Sequence, residues 1–232
     1  MRHKIASIAH MLRPPAICEL CNQYHAGSLA VCMKCTALLT PIGPACRYCA
    51  LPLPDANFLV CGQCCKKKPM VDNVITAYCF EEPLRTLIHE FKYREGLHLL
   101  TFLTDLMLHA LPDNYQTDCL IPVPMHPKRL RQRGFNQAAE LTKHLSKQLK
   151  LPCDLFHCKK NVNTPSQAGL SAEARRKNLR HAFQFKPLHY QHITLIDDLM
   201  TTGSTANELA RTLKNQGVSR VDLWCCARVP SL

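Results

Sequence analysis

Short apolar runs alternate along this chain with stretches in which apolar residues recur every three or four positions. Residues 74–80 (Val-Ile-Thr-Ala-Tyr-Cys-Phe) read as a strand rich in β-branched and aromatic side chains. Residues 83–110 carry Leu84, Leu87, Ile88 and Phe91, then Leu99, Leu100, Leu103 and Leu106, at helical spacing on either side of Gly96, and predict two helices. Residues 118–123 read as a buried strand, and 136–149 return to the helical period through Ala138, Leu141, Leu145 and Leu149. A second buried strand is expected at 192–197, then a turn and helix from Thr202 to Asn215 closed by Gly217, then a last strand at 220–229. Strands alternating with helices predict an α/β architecture, a parallel sheet with helical crossovers. Residues 18–65 break this pattern. They are Pro-punctuated and cysteine-rich, and predict loops and small hairpins that end at Lys66–Lys68 and Pro69.

With 232 residues, 47% hydrophobic and 20% charged, the chain can close a core and is too apolar for general disorder. No apolar run approaches the roughly 20 residues of a membrane helix, so no span is expected. The first 16 residues carry Arg2, Lys4 and Arg13, but their apolar stretch is broken by His10 and no small-residue cleavage site follows, so they do not read as a secretion signal.

Nine of the 15 cysteines lie between Cys18 and Cys65, and eight of these form four CxxC pairs: Cys18/Cys21, Cys32/Cys35, Cys46/Cys49 and Cys61/Cys64, with gaps of 10, 10 and 11 residues. A CxxC turn sets two thiolates on one side of a tight loop, and two such turns complete a tetrahedral zinc site. We expect structural Zn2+, one or two ions, with the first pair joining the second and the third the fourth; interleaved pairing is the alternative. A disulfide framework would need an oxidising compartment and fits the odd cysteine total poorly, and redox CxxC motifs usually come singly beside a βαβ unit. Cys225 and Cys226 in the last strand are expected in the core.

The formal charge is +12, which two Zn(Cys)4 centres, each −2, lower to about +8. The excess is local: residues 122–186 hold 14 Lys/Arg against three acids, residues 71–121 carry −5, and 187–232 are neutral. A field this one-sided attracts polyphosphate or nucleic acid.

Residues 195–205 (Leu-Ile-Asp-Asp-Leu-Met-Thr-Thr-Gly-Ser-Thr) place two carboxylates at the end of a buried strand, then a loop of hydroxyls and one glycine that enters a helix. Ligands bind beyond the carboxyl ends of strands in open α/β sheets, and a helix start favours an anion. Gly203 lets the backbone approach closely. Thr201, Thr202, Ser204 and Thr205 can donate, and Asp197 and Asp198 can accept from a sugar diol while repelling a second phosphate. The combination predicts a ribose 5-phosphate site. A capped helix after an acidic turn would explain one hydroxyl, not four.

This run resembles the phosphoribosyl diphosphate (PRPP) signature of type I phosphoribosyltransferases, with Leu199 where that pattern usually has valine. Residues 121–137 (Ile-Pro-Val-Pro-Met-His-Pro-Lys-Arg-Leu-Arg-Gln-Arg-Gly-Phe-Asn-Gln) and 164–183, together with the cysteine pairs, are similar to the ComF (ComFC-type) family of competence proteins, over about residues 18–229. The resemblance implies an amino-terminal segment at 1–17, a double zinc-ribbon-like domain at 18–69 and a domain of the parallel-sheet type I phosphoribosyltransferase fold at 70–232. It implies that Asp197 and Asp198 hold the ribose hydroxyls and Thr201, Thr202, Gly203, Ser204 and Thr205 the 5-phosphate. Lys128, Arg129, Arg131 and Arg133 would form the loop that receives pyrophosphate with Mg2+, about two of the four touching the ligand. Gln167, Arg175, Arg176 and Arg180 would belong to a lid that closes over the site. Arg94 is a further basic candidate, whereas His89, His126 and His181 read as structural.

The function implied is that of a cytoplasmic competence protein in natural transformation, binding PRPP and, through its basic stretch, single-stranded DNA, with other transformation proteins as partners. The alternative is an active phosphoribosyltransferase with an unidentified acceptor, for which catalytic residues are unassigned. In a third reading PRPP acts only as a regulatory ligand.

Overall fold

The computed structural model describes residues 16–161, 182–186 and 188–230, apart from the side chains of Arg94 and Glu95. The lid residues Gln167, Arg175, Arg176 and Arg180, and also His181, lie outside them. The cysteine-rich part contains a short antiparallel pair, β1 (Ala16–Ile17) with β2 (Tyr24–His25), and two short helices, α1 (Met33–Thr36) and α2 (Gly62–Lys66). The body contains β3 (Asn73–Ile75), β4 (Tyr78–Cys79), α3 (Leu84–Phe91), a 3-10 segment (Arg94–Leu99), α4 (Leu100–His109), β5 (Cys119–Pro122), α5 (Pro127–Arg133), α6 (Gln137–Leu149), β6 (Cys158–Lys160), β7 (Phe183–Phe185), β8 (His192–Met200), α7 (Ser204–Lys214) and β9 (Arg220–Arg228).

The central sheet has the order β3-β9-β8-β5, with β4 also on β9, and every ladder within it is parallel. This is the expected mixed α/β architecture. Its strands are buried on both faces, as parallel strands must be when helices cover both sides. Along β9, Val221, Leu223 and Cys225 enter one core while Trp224 and Cys226 enter the other, the two-residue alternation of a strand. The first core is closed by Ala206, Leu209, Ala210 and Leu213 of α7, and the second by α3, α4 and α6.

The two cysteine modules divide between these cores. Cys18, Val31, Cys35 and Leu39 pack with α3 and α4, whereas Ile42 and Ala50 pack on the α7 side. Several elements differ from the sequence expectation. The strand expected at 74–80 is split in two. The pair of helices at 83–110 has a 3-10 turn between them, and a Cβ at Gly96 would collide with the Glu90 carbonyl and Phe91 Cα, which accounts for the break. The strand expected at 192–197 runs on to Met200, so both acids lie within it. Among the described residues no helix is long and apolar enough to cross a membrane.

Candidate functional site

Parallel pairing puts the carboxyl ends of β5 and β8 on the same sheet edge. From β8 the chain turns through Thr201, Thr202 and Gly203 into α7. Gly203 has φ +72°, the left-handed region that favours glycine, whereas a Cβ there would meet only the movable end of the Met200 side chain. As the N-cap it offers no side chain to the first N–H groups of α7. Thr202 and Ser204 hydroxyls lie 2.9 Å apart, and Thr202 Oγ1 accepts from the Ser204 N–H at 3.3 Å. A shallow concavity beside them, open to solvent, is bordered by Asp197, Thr201, Gly203, Ser204 and Thr205.

Asp197 Oδ1 accepts the Asp198 N–H at 2.9 Å. Asp198 meets Lys92 Nζ at 3.8 Å. Burial, then repulsion from Asp198, holds the Asp197 carboxyl well above its ordinary range. Lys92, in the turn after α3, is a contact that the sequence analysis passed over in favour of Arg94, two residues on.

The basic segment after β5 is a helix rather than a loop. His126 caps α5 by accepting the Lys128 N–H at 3.1 Å, Pro127 takes the first turn, and Gly134 ends it at φ +84°. The helix divides its four cations. Arg129 and Arg133, one turn apart, are half-buried, whereas Lys128 and Arg131 are exposed. Arg133 Nη1 donates to Gln137 Oε1 at 3.3 Å, and the buried Gln137 donates to the Lys92 carbonyl at 2.9 Å. A chain of contacts thus runs from α5 to the turn that carries Lys92, and so to Asp198.

Lys160 was also missed. It ends β6, which pairs antiparallel with β7, and its ammonium lies 5.8 Å from the centre of the Phe183 ring. Burial, then the neighbouring Arg129, lowers its pKa to about 8, against an opposing pull from Asp197. Lys92 thus pairs with Asp198, and Lys160 lies close enough to Asp197 and Arg129 to feel both charges.

The cysteines gather as Cys18, Cys21, Cys32 and Cys35, and as Cys46, Cys49, Cys61 and Cys64, with the sulfurs of each group within 4.8 Å of one another. Pairing is sequential, not interleaved. All 15 cysteines are free thiols. A tetrahedral Zn–S distance of about 2.3 Å sets sulfurs about 3.8 Å apart. The Cys21–Cys32 and Cys49–Cys61 separations are 3.9 and 3.6 Å, far beyond a disulfide bond of about 2.05 Å. Four thiols at this spacing suit Zn2+, and each group can hold one ion.

The two modules repeat one construction. A left-handed residue, Asn22 or Ala50, follows the second cysteine, and the third, Cys32 or Cys61, caps a short helix. Burial raises the Cys18 thiol, but the N–H groups of Cys32, Cys21 and Leu20 outweigh it and bring the pKa to about 6. In the second module burial likewise raises Cys46, and the equivalent N–H groups of Cys61, Tyr48 and Cys49 lower it on balance. Burial and the neighbouring thiols push Cys35 up to about 12. A dication relieves that crowding.

A scan against protein-family profiles gives no match. The chain is 33% identical over 226 residues to the DNA utilization protein YhgH of Escherichia coli O157:H7, covering 94% of this chain and 99% of that protein. It is 34% identical over 215 residues to Competence protein F of Haemophilus influenzae, with 88% and 93% covered. It is 26% identical over 198 residues to Competence protein ComFC of Bacillus subtilis, with 81% and 79% covered. The relatives at 33% and 34% identity, matched over 99% and 93% of their own length, carry one conclusion: the chain belongs to the ComF family of competence proteins.

Proposed function

We propose that this protein serves DNA uptake in natural transformation, acts in the cytoplasm, and binds PRPP–Mg2+ at the turn between β8 and α7 of a phosphoribosyltransferase-type domain. The relatives' names speak of competence and DNA utilization. The observation that carries the ligand reading is a glycine-capped helix start that shares one open concavity with the Asp197 carboxyl, with Asp198 the next residue of β8. The Asp pair accepts from the ribose diol, and the N–H groups at the start of α7, with the hydroxyls of Thr201, Thr202, Ser204 and Thr205, hold the 5-phosphate. Two carboxylates beside a diphosphate suit Mg2+, a hard cation usually held by one or two carboxylates plus phosphate oxygens. Arg129, Arg133, Lys92 and Lys160 supply charge for the diphosphate. The basic stretch, with Lys128 and Arg131 exposed on α5, contacts single-stranded DNA.

Lys92 beside Asp198, and Lys160 within reach of the charges of Asp197 and Arg129, also favour a second reading, an active phosphoribosyltransferase, because a departing pyrophosphate needs such donors. Pyrophosphate release assayed with a panel of bases and amines separates it from a binding role.

PRPP–Mg2+ is expected to raise the thermal midpoint, since a ligand of the native state stabilises it. Asp197→Asn has two opposed effects. The raised Asp197 pKa means that its charge opposes folding increasingly as pH climbs from the ordinary value through the raised one. At neutral pH the penalty is present, so Asp197→Asn raises the ligand-free midpoint by ~2–4 °C, about 1 kcal/mol. The double variant Asp197→Asn/Asp198→Asn loses the PRPP response. A surviving response would remove the acids from the site.

A further inference from the structure

We propose that the outer face of the second cysteine module is a binding surface for single-stranded nucleic acid, distinct from the cleft and from the basic stretch. It deepens the proposed DNA contact and rests on that reading for the class of ligand only. Tyr48 sits inside the Cys46/Cys49 turn. Its ring holds two cations from separate parts of the chain, Arg47 Cζ at 5.2 Å and Lys68 Nζ at 5.3 Å from the ring centre. The Arg47 N–H donates to the Leu59 carbonyl at 3.0 Å, which lays the 58–59 backbone beside them. Phe58 and Leu59 are 54% and 67% exposed, an expensive display for apolar side chains unless something covers them. Lys66 and Lys67, exposed, directly precede Lys68 in the chain.

Arg47 and Lys66–Lys68 are all exposed, and among the described residues none forms an ion pair with an acid. Between residues 44 and 71 they face a single acid, Asp55. The −2 of a loaded Zn(Cys)4 centre offsets part of this charge. Its sulfurs are buried or half-buried, whereas the four cations are exposed.

Cations held on the half-buried Tyr48 ring, with the exposed Phe58 next to Leu59, are what a single strand needs: phosphates pair with the cations, and an unstacked base covers Phe58. A duplex fits poorly, because α2 has only five residues and cannot fill a major groove. An acidic peptide would use the cations and leave Phe58 without a role.

The test is binding of a fluorescent thymidine homopolymer across a salt series. Arg47→Ala/Lys68→Ala is expected to weaken binding about tenfold and to make the log–log salt slope shallower by about 1.4, two contacts at ~0.7 each. Phe58→Ala is expected to weaken it about tenfold with the slope unchanged, the loss of one stacked base. Lys66→Gln/Lys67→Gln, which leaves Tyr48 untouched, should also make the slope shallower, with a weakening that fades as the salt approaches about 1 M. Zinc content and the response to PRPP–Mg2+ should be those of the unsubstituted protein in all three. If these variants bind normally while Lys128→Ala/Arg131→Ala does not, this surface is wrong and the DNA contact of the basic stretch stands. Polyglutamate competing as well as the oligonucleotide would assign the face to an acidic protein instead. No binding by the unsubstituted protein overturns both readings.

Discussion

Stripping metal with a strong chelator is expected to abolish the cooperative unfolding transition, and metal analysis of the untreated protein to return two zinc ions per chain. The apparent binding energy of a structural zinc, about 10–16 kcal/mol, matches or exceeds the about 5–15 kcal/mol that holds a whole domain. Here the metal groups are tied into both cores. Cys18 and Cys35 pack against the cluster of α3 and α4, and Ala50, next to Cys49, packs against that of α7. Without a cation the thiols crowd one another, and burial drives Cys35 and Cys49 up to about 12. They are therefore protonated at neutral pH, and their mutual fit is lost. Calorimetry before and after chelation reads this directly. An unchanged transition in protein shown to be metal-free would refute a structural role for the clusters.

Arg228→Met should lower the thermal midpoint by roughly 10 °C, the equivalent of about 3–5 kcal/mol, and should also blunt the response to PRPP–Mg2+. Arg228 ends β9 and is 5% exposed. Its Nε donates to the Cys49 carbonyl at 2.7 Å, and its Nη1 to the carbonyls of Val229 and Met200, the latter at 3.4 Å. One guanidinium thus ties the second cysteine module to the last residue before the turn at Thr201. Burial lowers its pKa, and the nearby thiols of Cys49, Cys225 and Cys61 oppose that. A loaded zinc centre supplies the negative charge that such a buried cation needs. Met fills similar volume but strands the carbonyls. A second brace, from the Met70 N–H to Asn207 Oδ1, holds the start of α7 from the same side. Thermal melts with and without ligand measure both effects. A variant as stable and as responsive as the unsubstituted protein would sever the module from the turn.

The elements that periodicity marks are those whose burial is one-sided or complete. Residues 136–149 show one apolar helical face and form α6, and the run through Ile193, Leu195 and Ile196 is apolar on both sides and forms β8. Four CxxC pairs at near-equal gaps reveal two groups of four, because local turn geometry brings each pair together. The site's acids, hydroxyls and glycine were legible for the same reason: they lie within nine consecutive residues. Its cations were not. Lys92 reaches Asp198 only because α3 ends there, and Lys160 in Cys-Lys-Lys-Asn looks like any solvated pair until the pairing of β6 with β7 sets it by the Phe183 ring and buries it. The helix α5 carries no apolar face to betray it, although Pro127 and Gly134 are its ordinary end signals. That the cysteine modules pack into opposite cores is a tertiary fact with no local trace.

Crystallography of the protein with PRPP and Mg2+ tests the site most directly. The expected result is the 5-phosphate on the N–H groups at the Gly203–Ala206 end of α7 and the ribose hydroxyls on Asp197 and Asp198. Density for the ligand anywhere else, with those carboxylates untouched, would contradict it.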